Sequence, residues 1–302
     1  MENHSGRGSD RAPEAPFALS VDVEDYFQVQ AFARYVSRDA WPGYPSRVER
    51  NTRLLLDLFD ETRSTATFFT LGWVARAHPQ LVREVAARGH EIASHGMDHR
   101  MLTELTPDGF REQARDSRAL LQDLSQQPVI GYRAPSYSLG RTTLWAIEAL
   151  AECGYEYDSS VYPIRRRRYG YPSGPTVPAR MAGETGATLP EFPLPTISLG
   201  PVRIPVLAGA YLRLWPAWVS RYALDRHRAE RRPLIVNVHP WEFDPEQPTV
   251  GPSRGATWTH YARLDRTEGI LRSLLSRARF RDAATRLREL GLLASHPAGA
   301  DA

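Results

Sequence analysis

Apolar, β-branched runs alternate with helix-period stretches along this chain, and that alternation limits the fold more than any other feature. "FALSVDV" (17–23), "TATFFTLG" (65–72), "HEIASH" (90–95), "VIGYRAP" (129–135), "YEYDSSV" (155–161) and "PLIVNVH" (233–239) read as strands. Residues 47–62, 78–89, 106–125 and 142–154 carry apolar positions at helical period, with Thr106 as a cap and Pro107 at the first position of its helix. Strands alternating with helices imply parallel βα units. A chain of 302 residues is long for one domain, but a barrel of such units commonly reaches that size.

Regularity fails over residues 162–200, which are rich in Pro and Gly and include the run Arg165–Arg168. A long surface excursion is expected there, with short antiparallel strands near "EFPLPT" and "VRIPV". Helices are expected at about 215–230, 264–279 and 280–291, so the domain should span 16–293 with a helical extension from about 246. Polar residues 1–15 and 294–302 read as disordered tails. The start has no apolar h-region and no run of 18 apolar residues occurs, so neither a signal peptide nor a membrane span is expected, and the cytoplasm is the expected location. A net charge of +3 does not point to nucleic acid. Cys153, the only cysteine, excludes an intrachain disulfide and a thiolate-rich zinc site, and reads as a buried thiol.

In parallel βα folds the chemistry gathers at the C-terminal ends of the strands. Asp22, Glu24 and Asp25 follow the first strand, His95 and His99 the third, Arg133 the fourth, Asp158 the fifth and His239 the last. Each has a bland reading: a solvated turn, a helix cap, a strand end, a core histidine. Surface accidents, however, have no reason to share one end of successive strands. Two imidazoles four residues apart and a carboxylate suit Zn²⁺ or another divalent ion and leave room for water. A second carboxylate can act as base, an arginine can orient it, and a histidine opposite can protonate a leaving amine. That inventory matches hydrolysis of an amide without a covalent intermediate.

The segments "SVDVED", "SHGMDH", "YRAPSYS", "YDSSVYP" and "IVNVHPWEFD" resemble, in order, the five motifs of polysaccharide deacetylases with the NodB homology domain, carbohydrate esterase family four. The resemblance covers roughly residues 17–245. "DVEDYF", "HPWEFDP" and "THYARLDRTEGILRSLL" are similar to the subgroup encoded with exosortase-type exopolysaccharide loci. It implies an α/β fold, a distorted, incomplete (β/α) barrel, and removal of acetyl groups from N-acetylated sugars. By position it implies Asp22 as base, His95 and His99 as ligands of a divalent metal, most commonly Zn²⁺, and Arg133 as orienter of the base. It also implies Ser136 as oxyanion N–H, His239 as acid and Asp158 as the group that holds and charges that acid. The chain departs from the family where a second aspartate usually follows the base, since Val23 stands there. A strand's period of two favours Glu24 as the third ligand, pointing with Asp22, whereas a strand already ended would favour Asp25.

Aromatic platforms for sugar rings are expected among Tyr26, Phe27, Trp41, Tyr137, Tyr162, Trp215 and Trp241, with Tyr137 and Trp241 preferred because they lie within motifs. Glu242 either touches substrate or braces its loop, and His260 and Tyr261 are candidates to cap the site. The arginine run reads as a solvated loop or a contact for an acidic polysaccharide or membrane face. The expected partner is an N-acetylated glycan, together with a membrane-bound polysaccharide synthesis machinery. The rival readings are an amidohydrolase acting on a small amide such as a ureide, and a catalytically silent carbohydrate-binding protein on the same fold.

Overall fold

The computed structural model describes residues 17–166, 169–251 and 257–295. The expected tails lie outside these residues apart from 294 and 295, as do Arg167 and Arg168 of the arginine run. The strands are β1 (Phe17–Val23), β2 (Thr67–Thr70), β3 (Glu91–Ser94), β4 (Gly131–Tyr132), β5 (Tyr157–Asp158), β6 (Ala179–Ala182), β7 (Thr188–Glu191), β8 (Thr196–Leu199), β9 (Val202–Pro205) and β10 (Leu234–Val238). Eight of them form one curled sheet in the order β10-β1-β2-β3-β4-β5-β7-β6. Every neighbouring pair is parallel except β6 with β7. This is the open α/β barrel that the alternation implies. All seven residues of β1 are buried, as expected of a central parallel strand covered on both faces.

The helices are α1 (Val48–Thr62), α2 (Gly72–Ala77), α3 (Pro79–Ala87), α4 (Pro107–Ser125), α5 (Trp145–Glu152), α6 (Ala210–Leu214), α7 (Ala217–Ala229), α8 (Trp258–Tyr261), α9 (Thr267–Leu275) and α10 (Ala283–Glu289). Local chemistry sets their ends. The Thr106 hydroxyl accepts from the Gly109 N–H at 3.2 Å, Pro107 begins α4 where no N–H is needed, and Gln126 ends it in left-handed backbone. Asp282 caps α10 by accepting from the Thr285 N–H at 2.8 Å. No helix among the described residues is long and apolar enough to cross a membrane.

The structure differs from the sequence reading in two places. The run "TATFFTLG" does not stay extended to Gly72; α2 begins there, and its first N–H groups bond the Gly96 and Met97 carbonyls at 2.8 Å each. Glycine at 72 lets the two segments approach, since an added Cβ would lie 2.3 Å from Met97 Sδ and would force that side chain to move. The excursion after Tyr162 holds a hairpin, β6–β7, that extends the sheet, hidden in the sequence because Pro190 reads as a strand breaker. β8 and β9 form the antiparallel pair expected there. Beyond β9, residues 207–209 run beside β10: Asn237 N–H donates to Leu207 O and Gly209 N–H to Asn237 O, both at 3.0 Å.

Candidate active site

The register of the sheet assembles the site. Val21 pairs with Val238, so Asp22 and His239 leave neighbouring strands side by side. Ser94 pairs with Tyr132, which sets His95 beside Arg133, and the His95 Nδ1–H donates to the Arg133 carbonyl at 2.8 Å. A carbonyl only accepts, so this bond leaves Nε2 as the lone-pair nitrogen.

Asp22 is almost completely buried. Its Oδ1 accepts from Arg133 Nη1 at 2.6 Å, and its Oδ2 accepts from the Tyr137 hydroxyl and Asn237 Nδ2, each at 3.1 Å. Burial opposes ionisation here, but the positive charges of Arg133 and His239 outweigh it and hold the carboxyl well below its usual range. Arg133, fully buried, is fixed by Ser159 O, Ser159 Oγ and Ser20 Oγ at 3.0, 2.7 and 2.9 Å, and its guanidinium lies 3.9 Å over Phe69.

Glu24, His95 and His99 are all buried, and one ligand atom from each lies within 4.8 Å of the others. Glu24 Oε2 accepts no hydrogen bond among the described residues although His99 Nε2 is 2.8 Å away, and His99 Nδ1 is also without a partner. Buried polar atoms are rarely left unpaired. Two imidazoles and a carboxylate that converge on one point fit a divalent cation. Burial holds the His95 imidazole down at about 4, neutral and able to ligate. For Glu24 burial is again opposed, here by His99, and the carboxyl sits at about 2.

Asp25 is not part of this cluster. Its Oδ2 accepts from Ser46 Oγ at 2.6 Å and from the N–H groups of Arg47 and Val48 at 2.9 and 3.2 Å, so it caps the start of α1. The strand ends at Val23, and a turn closed by Glu24 N–H to Asp22 O at 3.0 Å sends Glu24 into the cleft and Asp25 away from it.

His239 Nε2 stands 3.5 Å from Asp22 Oδ2. Its Nδ1–H and its backbone N–H both donate to Glu242 Oε2 at 2.9 Å. Burial would depress this imidazole, but Glu242 outweighs it and raises the pKa to about 9. The expectation that Asp158 performs this task is corrected. Asp158 accepts from Ser160 Oγ at 2.5 Å and lies against Glu191 on the next strand, and burial pushes it up to about 6. Glu242 is in turn paired with Arg213, a fully buried arginine that also donates to the carbonyls of Thr259, His260 and Ala262 at 2.9, 2.9 and 3.0 Å.

Ser136, Tyr137, Tyr162 and Trp241 line one cleft of about 340 Å³ together with Asp22, Glu24, His95, His99 and His239. Ser136 and Tyr137 both adopt left-handed backbone, with φ of 55° and 52°, which non-glycine residues adopt mainly where function or packing demands it. Trp241 donates to Glu24 Oε1 at 3.1 Å and stacks between His239 and His260. Tyr26, Phe27 and Trp41 belong instead to a buried aromatic cluster, and Trp215 lies over a separate hollow with α7 and α9. His260 is buried and bonded to Gln247 Oε1 at 2.7 Å, and Tyr261 bonds Val250 N–H; neither lines the cleft. Two participants were not singled out from the sequence. Asn237 was discoverable, since it stands two residues before His239 and so shares its face of β10. Arg213 carries no sequence signal, because it lies on a five-residue helix beyond the irregular segment.

Residues 38–157 match the polysaccharide deacetylase family model, and residues 159–288 match a domain of unknown function, DUF3473. The polysaccharide deacetylase match takes in less than half of the chain. The matched deacetylase segment contains His95, His99, Arg133 and Ser136; Asp22 and Glu24 precede it, and His239 and Glu242 come from the second match. A chitooligosaccharide deacetylase of Rhizobium leguminosarum bv. trifolii is 35% identical over 79 residues, 26% of this chain and 37% of that protein. The alignment thus spans little more than a third of that relative. A crystal structure titled putative polysaccharide deacetylase, from Mycobacterium smegmatis, superposes over 99% of both chains with TM-score 0.60 and 20% identity. The PuuE allantoinase structure superposes over 94% of this chain and 92% of its own, with TM-score 0.59 and 16% identity. At such identities these two likenesses show that the chain shares their fold.

Proposed function

We propose that this protein is a metal-dependent hydrolase that removes N-acetyl groups from an amino-sugar glycan. The observation that carries the reading is the convergence of Glu24, His95 and His99 on one point, with Asp22 on one flank and His239 on the other. A divalent ion held by those three groups, Zn²⁺ by preference for this donor set, would supply Lewis acidity and an acidified water. Asp22, kept ionised and aimed by Arg133, accepts the proton of the attacking water. The left-handed turn at Ser136 presents backbone to the cleft beside the reacting carbonyl. His239, protonated through Glu242, gives its proton to the departing nitrogen. Glu242 fixes the tautomer by taking the Nδ1 proton in a hydrogen bond, so that Nε2 faces the cleft.

The motif forms "DVEDYF" and "HPWEFDP" support a place among deacetylases of exopolysaccharide synthesis, with a glycan precursor as substrate and contact with the membrane-bound synthesis machinery. The fold shared with an allantoinase keeps one competing substrate class in view. Metal-loaded protein should release acetate from N-acetylated oligosaccharides and leave allantoin intact. Ureide hydrolysis without acetate release would overturn the reading.

A further inference from the structure

The cleft has a second wall that the reaction just described does not use. It is built by residues of the DUF3473 match: Tyr162, Tyr169, the segment Ala208–Tyr211 and Leu214. Tyr162 and Tyr169 stack with ring centroids 6.3 Å apart, and Tyr211 meets Tyr162 edge-on at 6.1 Å. The wall comes close to the acid because residue 209 is glycine at φ +50, where an added Cβ would lie 3.4 Å from His239 Cε1.

The Tyr169 and Tyr211 hydroxyls lie 3.2 Å apart and share one hydrogen bond, while Tyr211 also accepts from Arg166 Nε at 2.9 Å. Each phenol has a single hydrogen to donate. Whichever of the two donates to the other, the remaining O–H is unspent among the described residues. The Tyr162 hydroxyl, buried at the same wall, also has no partner among the described residues. One unspent donor, on Tyr169 or Tyr211, therefore stands on an otherwise aromatic and aliphatic surface, while the Tyr162 hydroxyl is buried. A pyranose ring presents the matching chemistry, apolar C–H faces with hydroxyl and ether oxygens at the edge. A small ureide has polar groups on every side and no apolar face to set against the rings.

We infer that Tyr162, Tyr169 and Tyr211 form a saccharide subsite that holds the sugar ring next to the one being deacetylated. The substrate is accordingly an oligomer or polymer, and the DUF3473 segment selects it. Arg166 positions the Tyr211 hydroxyl. The inference rests on the deacetylase reading for its reaction, but the subsite is tested by binding alone.

The test is calorimetric titration of the full chain with N-acetylglucosamine and with its β-1,4-linked tetramer. The wild type, Tyr211→Ala and the double variant Tyr169→Phe/Tyr211→Phe are compared, with thermal melts confirming that each is folded. In the wild type the tetramer should bind at least about tenfold tighter than the monomer. That ratio should fall about tenfold in the double variant, which loses only hydroxyls, and at least as far in Tyr211→Ala. Equal affinity for monomer and tetramer, no measurable tetramer binding, or an unchanged ratio in both variants would overturn the subsite. Length-dependent binding without acetate release would instead overturn the deacetylase reading and leave the subsite standing.

Discussion

At the scale of single residues, His239 and the Glu242 carboxylate bonded to it carry the proposed acid. Replacing His239 with alanine should cut turnover by roughly 10² to 10⁴ while the metal stays bound, because the imidazole acts on the leaving group and not on the ion. Glu242→Gln removes the charge that raises His239. Loss of that charge lowers the imidazole pKa, so the alkaline limb of the pH–rate profile should move to lower pH. An unmoved limb would deny Glu242 this task. Asp158→Asn should retain activity within a few fold, since Asp158 accepts from Ser160 and lies beside Glu191, while His239 bonds Glu242. Strand-end placement was enough to anticipate that Asp22, Glu24, His95, His99, Arg133 and His239 gather in one place, because each follows an apolar run. It failed for Asp158, whose place after a strand is genuine while its side chain turns to a neighbouring carboxylate. The choice between Glu24 and Asp25 turned on one backbone turn, and a pattern of period two cannot show where a strand stops.

At the scale of elements, two carboxylates hold helix starts. Asp25 receives the first N–H groups of α1. Asp25→Ala should therefore destabilise the fold by about 0.5–2 kcal/mol in thermal or urea unfolding, while leaving bound metal unchanged. Glu91, on β3 at the other end of the barrel, accepts from Thr67 Oγ1, the Ala284 N–H and the Tyr157 hydroxyl at 2.5, 3.2 and 3.0 Å. Burial, aided by Asp282, raises its pKa to about 7. A carboxyl whose folded pKa lies above the unfolded value binds its proton more tightly when folded. Its contribution is therefore fully present below the unfolded pKa, near 4.5, and is lost as pH rises through about 7. Glu91→Gln should flatten that decline and gain on the order of 2 kcal/mol over wild type at pH 8, less than the shift alone implies because the side chain is partly exposed. The long helices were legible from period and caps. The β6–β7 hairpin and α2 were not, because proline and glycine dominate those stretches and tertiary pairing overrides them.

At the scale of the whole molecule, sheet order explains why the site needs both halves of the chain. β1 lies between β2 and β10, so the first strand of the sequence is completed by the last. The second half supplies His239, Glu242 and Arg213 as well as the tyrosine wall. A fragment ending before β6 would expose one edge of β1 and should fail to give a cooperative melt. The parallel βα architecture was readable from alternation alone, whereas the strap at residues 207–209 depends on pairing that no local pattern announces. Glu24, His95 and His99 should together hold one divalent ion. Elemental analysis of purified wild type, His95→Ala and Asp25→Ala tests it most directly. One equivalent of divalent metal is expected in wild type and Asp25→Ala, and close to none in His95→Ala. Metal-free wild type after incubation with Zn²⁺, or full occupancy in His95→Ala, would contradict it.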